Sequence, residues 1–126
     1  MYVLGNQCWY FVRQEECGEG FLTCYDLEKK TWRAPLLIRD AQSRSDFVFD
    51  GERLLLIHAP ADREGFGIVE IDRKDMAESR PLAVAAMGES LFYPFVRLYG
   101  QEAWISYTAD RRHIRLSRFR MPKKST

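Results

Sequence analysis

Short apolar runs alternate with turns rich in glycine, aspartate and proline along the chain, and one pattern occurs three times. Aligned without gaps from a glycine, residues 5–12, 51–58 and 100–107 each place two polar residues before a mainly apolar run. The offsets between the glycines are 46 (51 − 5) and 49 (100 − 51) residues. Runs bounded in this way predict β-strands, and a period in this range indicates a repeat architecture.

Further strands keep nearly the same spacing. Tyr25, Ile71 and Phe119 occupy equivalent places in a second run, at steps of 46 (71 − 25) and 48 (119 − 71) residues. A third run occurs twice, at 35–38 and 81–84, and begins with proline each time. Proline is tolerated at the start of an outermost strand, where no ladder donor is needed.

A further apolar run precedes each glycine, at 1–4, 47–50 and 96–99. Each full unit is therefore predicted to be a four-stranded antiparallel meander, which is the blade of a β-propeller. The charged segment 72–79 is predicted to be a loop, because Arg80-Pro81 would end any helix at once.

The predicted fold class is all-β, with a single partial β-propeller domain over residues 1–126. Its blade-like repeats are expected at about 1–40, 41–88 and 89–122, with a tail at 123–126. The first inner strand is truncated and the last outer strand is missing in this reading. A closed propeller needs about four or more blades. We therefore expect self-association, or a missing propeller half, to close the ring; two copies would supply six blades (2 × 3).

Composition narrows the class of protein. A hydrophobic fraction of 46% with 13% aromatic residues predicts a folded chain, and a net charge of +1 gives no overall attraction to anionic surfaces. The chain as written shows no signal-peptide pattern and no membrane-length apolar run, so a cytoplasmic location and no membrane partner are expected; for a fragment of a longer exported protein the location stays open. Seven lysines and arginines fall between residues 111 and 124, but three lie in a predicted strand, and no nucleic-acid partner is predicted.

The residues that most often bind metal ions lack suitable spacing. Cys8, Cys17 and Cys24 are separated by nine and seven residues, and neither His58 nor His113 has a nearby partner. No metal ion and no cofactor are predicted. The cysteines are interpreted as reduced structural thiols, with a Cys8–Cys24 bridge left open if the environment is oxidising.

Residues just before the inner strands of a propeller lie at the mouth of its channel, where ligands bind. The alignment places residues 44–46 and 93–95 there. Predicted ligand-binding residues are Arg44, Asp46, Asp62, Glu64 and Arg97. Asp62 and Glu64 belong to the loop at 59–67, for which a solvated charged turn is the alternative.

Residues 93–95, 103–108 and 110–114 resemble the end of the sialidase-like (BNR-repeat) propellers. That family has a Tyr-Pro-Ser or Tyr-Ser motif leading into the last inner strand. The resemblance implies that Tyr93 is a catalytic nucleophile activated by a glutamate, with three arginines for the sugar carboxylate and an aspartate as acid/base. A neutral phenol can approach an anionic sugar without the repulsion that a carboxylate would meet.

The sequence departs from that family at several points. Phe95 stands where a small residue is usual, no Ser-x-Asp-x-Gly-x-x-Trp turn occurs, and no complete arginine triad can be assembled. The predicted function is thus a module that binds a carbohydrate or another small anionic ligand and is not catalytic alone. One alternative is a glycoside hydrolase completed by another chain or missing blades. Another, from the kelch-like pattern of Tyr25-Asp26 and Trp32, is a protein-interaction platform.

Overall fold

The computed structural model describes residues 1–14, 18–60 and 64–121, with the backbone alone for 42–43 and 83–89. The described part is all-β, as predicted, and contains no α-helix. Its strands are β1 Tyr2–Leu4, β2 Gln7–Arg13, β3 Glu19–Asp26, β4 Thr31–Trp32, β5 Leu36–Arg39, β6 Gln42–Phe49, β7 Leu54–Ala59, β8 Glu64–Ile71, β9 Arg80–Tyr99, β10 Glu102–Ala109 and β11 His113–Arg120. Within these residues no helix is long and apolar enough to cross a membrane.

The strands form two antiparallel sheets. One has the order β1-β2-β3-β4, with β5 also paired to β3, and the other has the order β6-β7-β8-β9-β10-β11. Apart from β5, which pairs with β3, neighbours in sequence within each sheet are also neighbours in the sheet, which is the meander that the spacing of apolar runs predicts. The predicted loop at 72–79 contains one short 3-10 turn, Met76–Glu78, capped by the Asp75 carboxylate.

The repeated turns have the same local chemistry. Gly5, Gly51 and Gly100 have φ values of 58°, 99° and 62°, in the left-handed region that favours glycine. Asp26 and Asp72, which are 46 residues apart (72 − 26), each accept hydrogen bonds from the N–H groups two and three residues further on. These bonds, above all the one three residues on, lower the pKa of both carboxyls. The sequence period is thus also a structural period.

Strand β9 differs from the sequence expectation. Separate strands were expected at 81–84 and 96–99, whereas one 20-residue strand serves both. Its first half pairs with β8, and its second half pairs with β10. Between residues 85 and 92 the sequence has one glycine and no aspartate, asparagine or proline, so no strong turn signal ends the strand.

Two apolar clusters divide the molecule into three layers. The first cluster joins the β1–β5 sheet to β6–β8 and includes Trp9, Leu22, Leu54 and Leu56. The second joins β6–β8 to the later half of β9 with β10 and β11, and its members include Leu55, Ile57, Val96 and Ile105. All six residues of β7 are buried, since this strand lies in the middle layer and packs on both faces. Only the first and third layers have a face without a covering layer in the described structure.

The described cysteines are free thiols. The register pairs Cys8 with Tyr25 and Trp9 with Cys24, so Cys8 and Cys24 lie on opposite faces of the first sheet. The bridge that the sequence left open is therefore not formed. Burial raises the pKa of the Cys24 thiol, which suits an unreactive structural residue. Cys17 lies outside the described residues.

Candidate functional site

Two β-bulges lie at one edge of the layers, here called the upper edge and defined by Arg44 of β6 and Tyr93 of β9. In β6 the pairing passes from Gln42–Ala59 to Asp46–Ile57, so residues 43–45 oppose His58 alone. In β9, residues 93–94 oppose Tyr107 alone. Bulges redirect the side chains that they carry, and they are common beside active sites.

Tyr93 has an unusual backbone for its residue type. Its φ is 56°, in the left-handed region, and Pro94 follows it as a buried residue. A bulky non-glycine residue in this region costs on the order of 1–2 kcal/mol. The bulge therefore holds the backbone of Tyr93 in a strained conformation, and 53% of the residue is exposed.

The two bulges bring Arg44 and Tyr93 together. The guanidinium carbon of Arg44 lies 5.2 Å from the centroid of the Tyr93 ring, within the range of a cation–π contact. Arg44 is exposed, so its charge remains available to solvent and to ligands. The sequence alignment placed these residues at the same edge, and the structure places them in contact across two strands.

Asp46 fastens β6 to β9. Its Oδ2 accepts a hydrogen bond from the Val96 N–H at 2.8 Å and lies 3.4 Å from an Nη1 of Arg97. Its Oδ1 accepts from the N–H of Phe47 at 2.9 Å. Both carboxylate oxygens are thus engaged by protein donors, which gives Asp46 a positioning role at this edge.

Arg97 provides a second cation beside an aromatic ring. Its guanidinium carbon lies 3.8 Å from the centroid of Phe95, and its Nη1 donates to the Val96 carbonyl at 2.7 Å. Both side chains are largely exposed. The upper edge therefore displays two exposed arginine–aromatic pairs, Arg44 with Tyr93 and Arg97 with Phe95.

A cavity of about 360 Å³ adjoins Arg44 and reaches the first layer. Its lining residues are Phe11, Val12, Arg13, Arg44 and Ser45. The buried Ser45 Oγ has no hydrogen-bond partner among the described residues. Sequence reasoning placed Ser45 at this edge but missed Arg13, because Arg13 ends a middle strand of its own repeat and nothing local connects it with Arg44.

Arg111 adds a further cation beside the second bulge. Its guanidinium carbon lies 4.7 Å from the ring centroid of Phe92, the residue before Tyr93. Asp110 holds this turn, since its Oδ1 accepts from the Ser90 N–H and its own N–H donates to the Ser90 carbonyl. The aromatic residues of β9 are thus flanked by arginines from three different segments.

His58 lies beneath the β6 bulge and supports it. Only 6% of the residue is exposed, and its Nδ1 lies 3.2 Å from the Ala59 carbonyl oxygen, as a donor. Its ring packs directly on Gly67, where an added Cβ would collide with the imidazole. Burial lowers the pKa of His58, so the ring is neutral at pH 7.

The other predicted residues are not brought into this cluster by the described contacts. Glu64 is exposed at the start of β8 and pairs through its backbone register with Ser90. Asp62 lies outside the described residues. Among the described side chains, which leave out those of 42–43 and 83–89, the Tyr93 hydroxyl has no hydrogen-bond partner. Across 1–14, 18–60 and 64–121, no three histidine, cysteine, aspartate or glutamate side chains are grouped as metal ligands.

A larger cavity, of about 790 Å³, lies at the opposite edge, near the Gly51 turn. Its ionisable lining residues are Arg53, Arg73, Lys74, Arg80, Glu52, Glu70, Asp72 and Glu78. Four cations thus face four acids, and two of the ion pairs, Arg53–Asp50 and Arg80–Glu70, lie at this edge. Because its charges balance, this cavity favours no ligand charge, unlike the arginine-rich upper edge.

The chain matches no protein-family model, no curated protein and no solved structure in the three comparisons made. The structure itself shows an all-β protein whose strands form two antiparallel sheets, with an apolar cluster on each side of β6–β8. Any function therefore has to be argued from the upper edge.

Proposed function

We propose that this chain is a segment of a sialidase-like β-propeller that binds an anionic carbohydrate at the upper edge without hydrolysing it. The observation that carries the proposal is the Arg44 guanidinium held 5.2 Å from the half-exposed Tyr93 ring, between two bulged strands. The propeller arrangement is supported by the repeat spacing and by the face-to-face packing of the layers.

The chemistry of the upper edge suits an acidic sugar. Arginine pairs with a carboxylate through two parallel N–H donors, and an aromatic face accepts the apolar side of a sugar ring. Tyr93 and Phe95 supply exposed rings, and Arg44 and Arg97 supply exposed guanidinium groups beside them. Arg97 already pairs with Asp46, whereas Arg44 has no acidic partner among the described side chains, so the site should prefer acids.

Binding is favoured over hydrolysis because no described carboxylate is placed as the second group beside Tyr93. A nucleophilic tyrosine needs an adjacent base, and glycoside hydrolysis also needs an acid. The Tyr93 hydroxyl has no partner among the described residues, and Asp46 is engaged by Val96, Phe47 and Arg97. Nothing observed favours the hydrolase reading of Tyr93.

The test is isothermal titration calorimetry, in which the folded chain is titrated with N-acetylneuraminic acid and, separately, with neutral N-acetylglucosamine. Saturable binding of the acid alone is expected. Arg44→Ala should weaken it about tenfold, which corresponds to about 1.4 kcal/mol. Arg80→Ala, at the opposite edge, is the matched control and should bind as the wild type does. Equal binding of both sugars, or of none at millimolar concentration, would overturn the proposal.

A separate assay tests the absence of catalysis. A fluorogenic sialoside should show no turnover above the uncatalysed rate. Turnover that disappears in Tyr93→Phe would assign the nucleophile role to Tyr93 and replace the binding proposal with the hydrolase reading.

A further inference from the structure

The outward face of the first layer corresponds to a face that is buried in the middle layer. Residues 46 positions apart are equivalent in the two layers. The buried residues Leu54, Leu56 and Ile71 of the middle layer thus correspond to Cys8, Tyr10 and Tyr25, which lie on the outward face of the first layer. In the middle layer these positions pack on the preceding layer. The first layer carries apolar or aromatic side chains at the same places, with no preceding layer described.

The outward face of the third layer is equivalent to the face of the middle layer that packs on the third layer. Leu55 and Ile68 of the middle layer pack on the third layer, and their equivalents are Trp104 (55 + 49) and Leu116 (68 + 48). Trp104 is partly exposed, and 65% of Leu116 is exposed. This face therefore repeats the positions that contact a following layer, again with no layer described beyond it.

Exposed apolar groups on both faces mark them as contact surfaces. On the first layer, 59% of Trp32 is exposed, and its ring lies 4.9 Å from that of Tyr25 and 5.4 Å from that of Tyr10. On the third layer, Ile114 and Leu116 are exposed next to each other on β11. Contiguous exposed patches of this kind commonly bind another protein surface.

The two faces are complementary to each other in chemistry. The third layer presents Arg118, exposed and 5.8 Å from the Trp104 ring centroid, whereas the first layer presents a group of aromatic rings. Arginine–aromatic pairs also occur inside single layers, since Arg33 lies 5.4 Å from the Trp9 ring within the first layer and Arg73 lies 5.4 Å from the Phe49 ring within the second. Contact between arginines and aromatic rings is therefore a packing element that this chain already uses.

We propose that the outward face of the third layer in one copy packs on the outward face of the first layer in a second copy, head to tail. The contact repeats the internal stacking of layers, and two copies supply six layers (2 × 3), a number that closes a propeller ring. The β9–β10 register places Arg97 opposite Trp104, so in such a dimer the Arg97–Phe95 pair of the upper edge borders the contact between the two copies.

Solution mass is the first test. Sedimentation velocity over a range of 1–200 µM should show a species of twice 14.8 kDa that grows with concentration. A protein that stays monomeric over the whole range would overturn the proposal.

Two variants then test the head-to-tail geometry. Leu116→Glu places a charge on the third-layer face, and Trp32→Glu places one on the first-layer face. Each variant alone should sediment as a monomer. An equimolar mixture should recover dimers, because the intact third-layer face of Trp32→Glu can pack on the intact first-layer face of Leu116→Glu.

The mixing experiment distinguishes the head-to-tail dimer from a dimer in which one face packs on its own copy. If one face packs on its own copy, one variant abolishes the dimer, the other leaves it intact, and the inference fails. Failure of the mixture to recover dimers also overturns it. Leu27→Glu, in the turn after β3, is the control and should dimerise as the wild type does. Circular dichroism of every variant establishes that it is folded.

Discussion

His58 shows how one buried side chain makes the stability of this fold depend on pH. Burial lowers the pKa of His58, while the Ala59 carbonyl and the charge of Asp40 act in the opposite direction. An unfolded histidine takes up its proton near pH 6.5. As the pH falls below that value, the unfolded chain binds more protons at His58 than the folded chain does. This difference ends once the pH is below the lower pKa of His58 in the folded chain.

The free energy of unfolding should therefore be highest above about pH 6.5 and fall as the pH is lowered, through the His58 contribution. Urea titrations at a series of pH values between 8 and 5 would measure this. His58→Asn should flatten the dependence, whereas His113→Asn, which removes the exposed histidine of β11, should retain it. Identical pH profiles for wild type and His58→Asn would contradict the role given to His58.

Tyr93 is the second residue whose environment leads to a prediction. Asparagine tolerates a left-handed backbone far better than a β-branched residue does. Tyr93→Asn should thus be more stable than Tyr93→Val by about 1–2 kcal/mol in denaturant unfolding. At Tyr99, exposed at the end of β9, the strand preference of valine should reverse that order. If the asparagine and valine variants rank in the same order of stability at positions 93 and 99, the bulge at Tyr93 is refuted.

Strand β7 is the element that best reveals the layered architecture. Leu55 and Leu56 are adjacent and fully buried, but they belong to different apolar clusters on opposite faces. Each Leu→Ala change should cost about 2–5 kcal/mol of unfolding free energy, because each opens a cavity in a packed interface. Leu27→Ala, at a more exposed position, should cost much less. A small loss at either β7 leucine would show that one face of the strand is not covered.

The connection between β6 and β9 depends on Asp46. Asp46→Ala would leave the Val96 N–H without its acceptor, at a cost of about 1–3 kcal/mol. Arg97→Ala removes an exposed ion pair with the same carboxylate, which is worth about 1 kcal/mol or less. Denaturant unfolding should rank Asp46→Ala as clearly less stable than Arg97→Ala. Equal losses would mean that the ion pair, and not the backbone hydrogen bond, joins the strands.

At the scale of the whole molecule, the sequence predicted the repeated turns but not the two β-bulges. Gly5, Gly51 and Gly100 could be aligned because glycine in a tight turn leaves a local sequence signal. The same alignment placed Arg44 level with Tyr93. Neither bulge was predicted, because a bulge depends on the register between strands and not on either strand alone.

The continuous strand β9 and the cavity beside Arg44 were also beyond sequence reasoning. Strand β9 passes from one layer to the next, and its course depends on the sheets packed around it. Arg13 comes close to Arg44 because the first layer packs on the second, at a separation of 31 residues (44 − 13). Such contacts depend on tertiary packing. The complete set of residues at the site could therefore be identified only from the three-dimensional structure.

The central claim is that the two bulges together form a binding site for an anionic sugar. Residue-resolved NMR titration of the ¹⁵N-labelled chain with N-acetylneuraminic acid tests it most directly. Saturable shifts should appear at the amides of Arg44, Ser45, Tyr93 and Arg97, and they should weaken in Arg44→Ala. Shifts confined to the opposite edge, around Arg73 and Arg80, or no shifts at millimolar sugar, would contradict it.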